Sequence, residues 1–404
     1  MRNITFESAR EMLLARTVSV ESETLPLDAC ADRVLAENVI APLNVPPFDR
    51  SPYDGYAFRA IDVQTASQET PVTLRVLEEI AAGDVSHVPV TEGTAVRIMT
   101  GAPIPEGADA VVMYEKTSFT DQAVTLFAPA KSGQNIVRAG EDVRAGTVLV
   151  EAGSVIDAGT LGTFASQGLS SLSVFRKPRV GIISTGSELV EPGGVPEEGK
   201  IYNSNRYTFE ALVAQVGCEP VFLGSAADST GEIADLIRTS AETCDAIITT
   251  GGVSVGDFDL TPAAMEACGA QILFRGVDIK PGMACCYGVI GRVLVCGLSG
   301  NPASALTNYY AVALPAIKKL CGRARCLPEE VLATVPNGFG KKSPTTRLLR
   351  GTLDLSAGEV RMVLPSDQGN VVLSSAIGCN VMTVVPAGSG PVEPGAKLKG
   401  FMLQ

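Results

Sequence analysis

Phe6, Ala9, Met12 and Leu13 recur at helical spacing and predict one amphipathic helix over residues 6–16. Pro46-Pro47 ends the segment that follows, because proline has no N–H and restricts the residue before it. Over residues 45–138 the pattern turns to brief β-branched runs, such as Val72–Leu77 and Val111–Tyr114, divided by Gly and Pro turns. This predicts a small β-rich domain. Residues 139–176 hold Gly140, Gly146, Gly153 and one helix at Ala158–Gln167. The stretch is too short to fold alone, so it joins residues 1–44 in a discontinuous domain into which the β-rich segment is inserted.

From Arg179 onward strands and helices alternate. The apolar runs Val180–Ile183, Val221–Leu223 and Ala246–Ile248 are separated by helices near 207–216, 230–239 and 261–267, and Val293–Cys296 leads into a long helix from Pro302 to about Leu320. Such alternation predicts an α/β domain with a parallel sheet over 177–326. Short strands and Gly turns return over 327–404 and predict a small β-barrel. The expected fold class is multidomain α/β and β.

Ligands of open α/β sheets bind beyond the carboxyl ends of the strands. Four loops fall there: Ser184–Glu188, Gly224–Ser229, Thr249–Asp259 and Ser299–Ser304, the last opening a helix with Asn301 as cap and Pro302 in its first turn. Gly251, Gly252 and Gly256 let backbone N–H groups approach an anion. Each loop alone reads more readily as an ordinary turn or cap. Together they gather Glu188, Asp228, Asp257 and Asp259 beside an anion cradle. Carboxylates there repel an anion unless a divalent cation lies between, so the residues point to a Mg²⁺-bridged phosphate or pyrophosphate. Lys280 on the turn Lys280-Pro281-Gly282 is either an oxyanion binder or a plain surface lysine. The chain has neither G-x-G-x-x-G nor the P-loop pattern, which argues against ordinary dinucleotide and NTPase sites.

Composition narrows the classes further. A chain of 404 residues exceeds one core, which stops growing at about 250–300 residues. The net charge of −12 argues against nucleic acid and anionic membrane as partners. His87 is the single histidine, which excludes a His-rich metal site and a His-based triad. Ten cysteines without a C-x-x-C pair read as reduced thiols. No apolar stretch approaches a signal-peptide core or a membrane span, so a cytoplasmic protein is expected.

Several motifs carry a family resemblance over essentially the whole chain: Pro46-Pro47-Phe48-Asp49-Arg50-Ser51-Pro52-Tyr53-Asp54-Gly55-Tyr56-Ala57, Arg97–Pro105, Gly133–Arg138 with Gly140-Glu141-Asp142, Ser184–Leu189, Thr250–Gly256, Lys280-Pro281-Gly282 and Gly300-Asn301-Pro302. In that order they resemble the MoeA family, related to the plant Cnx and gephyrin E domains. The resemblance implies a MogA-like α/β domain and a transferase that takes adenylylated molybdopterin and molybdate, with Mg²⁺, to molybdenum cofactor and AMP. It also implies a homodimer whose cleft sets Asp54, Thr100 and Asp142 of one subunit against Glu188, Asp228 and Asp259 of the other, and transient contact with a MogA-type adenylyltransferase. Asp228, Asp259 and Glu188 would hold the metal. Ser184, Thr185, Gly186, Thr250, Gly251, Gly252, Ser254 and Gly256 would bind the pterin nucleotide, and Lys280, Pro281, Gly300, Asn301 and Ser304 the oxyanion.

Departures from the family pattern gather on the oxyanion side. Met283-Ala284 follows Lys280-Pro281-Gly282, Gly276 stands where a basic residue is common, and Ser299 replaces a proline. Arg347, Arg350, Asn370, Ser374 and Ser375 all remain open as C-terminal contributors. Two other functions fit the same α/β fold: adenylylation of molybdopterin, opposed by about 180 residues ahead of that domain, and a gephyrin-like scaffold, opposed by Asp54, Thr100, Asp228 and Asp259.

Overall fold

In the computed structural model, which describes residues 2–227, 229–253, 260–356 and 358–403, the strand Arg179–Thr185 is buried from Val180 to Thr185. A strand covered on both faces reads as a continuous apolar run. Its residues alternate between two cores. Val180 and Ile182 join Ile248, Cys296, Phe209 and Tyr309 on one face. Ile183 joins Ile247, Val295, Ile233 and Met265 on the other. The helices Ser204–Gln215 and Pro302–Leu320 thus cover the first face, and Thr230–Ser240 and Leu260–Ala267 the second.

This sheet has seven strands in the order Arg2–Ile4, Gln271–Val277, Cys285–Ile290, Val293–Leu298, Ala246–Thr250, Arg179–Thr185, Glu219–Ala226. The last four run parallel. The expected parallel sheet is extended by Cys285–Ile290, antiparallel to both of its neighbours, and by Gln271–Val277 beyond it. Only Gly291 and Arg292 join Cys285–Ile290 to Val293–Leu298, and a parallel crossover needs a dozen residues or more. The three-residue strand Arg2–Ile4, too short for its pattern to announce, completes the edge.

The helix expected from Pro302 to Leu320 is α-helical at both ends, with a π-helical turn over Tyr309–Ala313. Pro315 supplies no N–H to the turn before it. The Ala311 carbonyl in that turn instead accepts from Arg10 Nε. The Arg10 guanidinium lies between the rings of Phe6 and Phe401, 4.8 and 5.0 Å from their centroids.

The C-terminal strands close into a barrel, in the order Thr346–Asp354, Arg361–Val363, Glu330–Val335, Ala396–Met402, Val381–Val385 and back to Thr346–Asp354. Ile279–Lys280 adds to this barrel beside Thr346 and Arg347. By contacts the α/β sheet and the barrel belong to one unit, Met1–Glu37 with Ala152–Asp157 and Ser171–Gln404. In this unit Ser22–Pro26 pairs with Ser171–Phe175.

The second unit comprises Asn38–Glu151 and Ala158–Ser170. Its six-stranded sheet runs Ala110–Met113, Gly55–Phe58, Thr94–Ile98, Val72–Ile80, Ala123–Leu126, Thr117–Phe119 over a core of Tyr56, Phe58, Leu74 and Val124. The helix Ala158–Ser166 and the paired strands Val39–Ile40 and Val148–Val150 also belong to it.

Candidate active site

Three adjacent parallel strands, Arg179–Thr185, Ala246–Thr250 and Val293–Leu298, end at one edge of the α/β sheet. The loops beyond them line a cavity of about 680 Å³. Its walls include Thr185, Gly186, Glu188, Thr250, Gly251, Gly252, Gly300 and Asn301, so eight of the residues expected from sequence share one site. Asp228, Ser254, Gly256 and Asp259, with Asp257, lie outside the described residues.

Close approach of backbones builds this cradle. Gly251 has φ 108° and Gly252 φ 63°. A Cβ on Gly251 would stand 2.3 Å from Thr185 Oγ1, and one on Gly252 2.8 Å from Thr261 Oγ1. The Thr185 hydroxyl donates to the Thr250 carbonyl at 3.1 Å, and the Thr261 hydroxyl to the Gly251 carbonyl at 2.9 Å. Gly251 N–H is engaged by the Leu298 carbonyl. The Gly252 N–H finds no acceptor among the described residues.

Glu188 is exposed, with its carboxylate folded over Gly186, where a Cβ would meet Glu188 Oε2 at 2.4 Å. Opposite, Asn301 caps the helix that begins at Pro302, but its side chain makes no capping bond. The Asn301 N–H donates instead to Ser299 Oγ at 3.2 Å, a bond that a proline at 299 could not offer.

Four expected residues are not part of the wall. Ser184 is fully buried and its hydroxyl is tied to the Asn203 amide, the cap of the helix Ser204–Gln215. Ser304 is buried behind the helix start, with its N–H on the Asn370 carbonyl. Lys280 is exposed on the strand that joins the barrel, and Pro281 is buried beside it. At Gly276, where φ is 75°, a Cβ would stand 2.4 Å from Asn3 Oδ1, so a basic residue there would need the Asn3 side chain to move and a strained backbone.

The sequence pattern did not point to Asn203, Asn205 or Val371, all of which line the cavity. Asn203 carries the signal that could have found two of them, a cap whose side chain accepts from the Arg206 N–H. Val371 belongs to a loop held by Arg350. That side chain is fully buried and donates to Ser375 Oγ and to the carbonyls of Gly369 and Val372, while its Nη1 has no partner among the described residues. Burial lowers its pKa. Of the open C-terminal candidates, Arg350 and Ser375 therefore form a pair, whereas Arg347 donates to Ser343 and faces the Phe339 ring.

In the other unit, the antiparallel register Gly55↔Ile98 brings the residues flanking the two strands together. Asp54 Oδ1 accepts from both the N–H and the hydroxyl of Thr100 at 2.7 Å. These two donors hold the Asp54 carboxyl below its ordinary pKa. Gly55 is fixed by the same packing, since a Cβ would stand 1.9 Å from the Val112 carbonyl oxygen. Asp142 is exposed, and its N–H donates to the Val45 carbonyl.

Comparison with known proteins places this geometry. Residues 4–168 match the family model described as "MoeA N-terminal region (domain I and II)", and residues 181–319 that described as "Probable molybdopterin binding domain". The chain is 35% identical over 392 residues to the molybdopterin molybdenumtransferase of Staphylococcus aureus (strain COL), covering 97% of this chain and 94% of that one. The molybdopterin molybdenumtransferase of Staphylococcus epidermidis (strain ATCC 12228 / FDA PCI 1200) matches at the same identity and coverage. The molybdopterin biosynthesis moeA protein of Pyrococcus horikoshii OT3 superposes with a TM-score of 0.85 at 29% identity, over 99% of this chain and 100% of that one. A molybdenum cofactor biosynthesis protein of Pyrococcus furiosus, at 19% identity and TM-score 0.61 over 99% and 100% of the two chains, shares the fold.

Proposed function

The chain belongs to the MoeA family of molybdopterin molybdenumtransferases, and from that membership we propose how its cavity works. The protein is a transferase that inserts molybdenum in the synthesis of molybdenum cofactor. In our reading the substrate is adenylylated molybdopterin, whose phosphoanhydride is cleaved to AMP as molybdate is taken up. One observation carries this reading: the Gly252 backbone, whose N–H has no acceptor among the described residues, and the Glu188 carboxylate border the same cavity.

Glu188 is an exposed oxygen donor, suited to Mg²⁺, which binds through one or two carboxylates plus substrate phosphates. Bound there, the cation would neutralise the phosphate charge that Glu188 otherwise repels. Asp228 and Asp259 are its further expected ligands. The protein residues position and neutralise: Gly252 N–H faces the phosphate, and the Asn301–Pro302 helix start offers its positive end to an anion. The Arg350 guanidinium, tied to Ser375, is the cationic group we assign to molybdate. No side-chain nucleophile is required, because molybdate oxygen or water attacks phosphorus.

We further propose that the protein acts in the cytoplasm as a homodimer, with the Asp54–Thr100 pair and Asp142 serving the partner's cavity, and that it receives its substrate from an adenylyltransferase of the MogA type. No described helix is long and apolar enough to cross a membrane. The test of the reading is AMP release from adenylylated molybdopterin with and without molybdate.

A further inference from the structure

Asn205 occupies the second position of the helix Ser204–Gln215, in the wall of the cavity. Its Nδ2 donates to the Gly300 carbonyl at 2.9 Å. Its Oδ1 is buried and has no donor among the described residues. Turning the amide over would set Oδ1 against the Gly300 oxygen, acceptor to acceptor, so the free edge is fixed as the carbonyl. Asn203 makes the contrast plain. Its Oδ1 takes the Ser184 hydroxyl and the Arg206 N–H, and its Nδ2 reaches Ser184 and Glu191. Asn203 is saturated by the fold, while Asn205 keeps one open acceptor. Buried acceptors without donors are rare, and each calls for a cause.

The chemistry of the cavity says which ligand group could meet that oxygen. Phosphate and molybdate oxygens would repel it, and the Mg²⁺ of our reading is assigned to carboxylates and phosphate, which leaves a neutral donor as its partner. We propose that Asn205 is a specificity residue whose Oδ1 accepts a hydrogen bond from the ring system of the bound ligand, either a pterin N–H or an amino or hydroxyl group of the nucleoside. This inference rests on the pterin-nucleotide reading of the cavity. It explains why the Gly300 loop and the Asn205 helix are tied by one half of an amide only, since the other half is kept for the ligand.

The test is equilibrium binding of molybdopterin alone and of AMP alone to the full-length wild type, to Asn205→Ser and to Asn205→Ala. The expected result is that both variants lose about tenfold affinity for one of the two ligands and keep the other within about twofold. Loss for molybdopterin names the pterin as the donor, and loss for AMP the nucleoside. Equal weakening of both ligands would reduce Asn205 to a brace for the Gly300 loop, and unchanged binding of both would remove it from recognition, so either result overturns the proposal. A wild type that binds neither ligand would instead overturn the functional reading on which it rests.

Discussion

Thr185 Oγ1 lies 2.3 Å from the point where a Cβ on Gly251 would stand, so two of the loops that build the cavity meet with no space for a side chain. Gly251→Ala should therefore cost about 2–4 kcal/mol, from a strained positive φ and from overpacking together. The measurement is the midpoint of denaturant unfolding, and an unchanged midpoint would mean that the loops part freely.

Glu188 is exposed, so Glu188→Gln should leave stability within about 0.5 kcal/mol. If it is a metal ligand, the variant will need on the order of tenfold more Mg²⁺ for half-maximal AMP release. Chelation should stop the wild type and added Mg²⁺ restore it. An identical Mg²⁺ titration curve for the variant would take Glu188 out of the metal site.

The Asp54–Thr100 contact is a charged acceptor with two donors. Asp54→Ala should lower kcat for AMP release on the order of a hundredfold while the unit that carries it stays folded by circular dichroism. Thr100→Ser keeps the hydroxyl and should retain most activity, whereas Thr100→Val should not. Equal activity of Ser and Val at position 100 would show that the hydroxyl is idle.

Ser375→Ala removes the hydroxyl that takes the buried Arg350 guanidinium. The cost should be about 1–3 kcal/mol, because a buried charged donor is stranded. The Gly369–Val372 loop loses its anchor as well, and the KM for molybdate should rise. A variant of native stability would mean that Arg350 finds other acceptors unaided.

Glu21 has its pKa lowered from 4.5 to about 2 by a backbone N–H and by Arg292 and Arg176. A carboxyl depressed in the folded state stabilises above its unfolded pKa and loses that contribution as pH falls through the folded one. The wild type should exceed Glu21→Gln in stability at pH 6, and the difference should fade between pH about 4.5 and about 2. Parallel unfolding curves across that window would contradict this.

The strands of the α/β sheet were legible because burial on both faces leaves continuous apolar runs, as in Val180–Ile183. Glycine loops at their ends were legible for a similar reason, since close backbone contact at Gly251 and Gly252 permits nothing larger. The helix expected near 207–216 begins at Ser204, and that offset hid Asn203 and Asn205 in what read as a connection. Side-chain partners were not legible. Arg347 and Arg350 sit on one barrel strand with similar neighbours in sequence, and only the fold brings Ser375 to the second. Lys280 read as an oxyanion group near the glycine loops, but its strand pairs with the barrel and its side chain lies outside the cavity wall.

The central claim is met most directly by following AMP released from adenylylated molybdopterin by the purified protein in Mg²⁺, with molybdate present and absent. The account predicts release that depends on molybdate and that matches the molybdenum cofactor formed. It would be contradicted by adenylylated molybdopterin left intact with molybdate present, or by its accumulation when the protein is given ATP and molybdopterin alone.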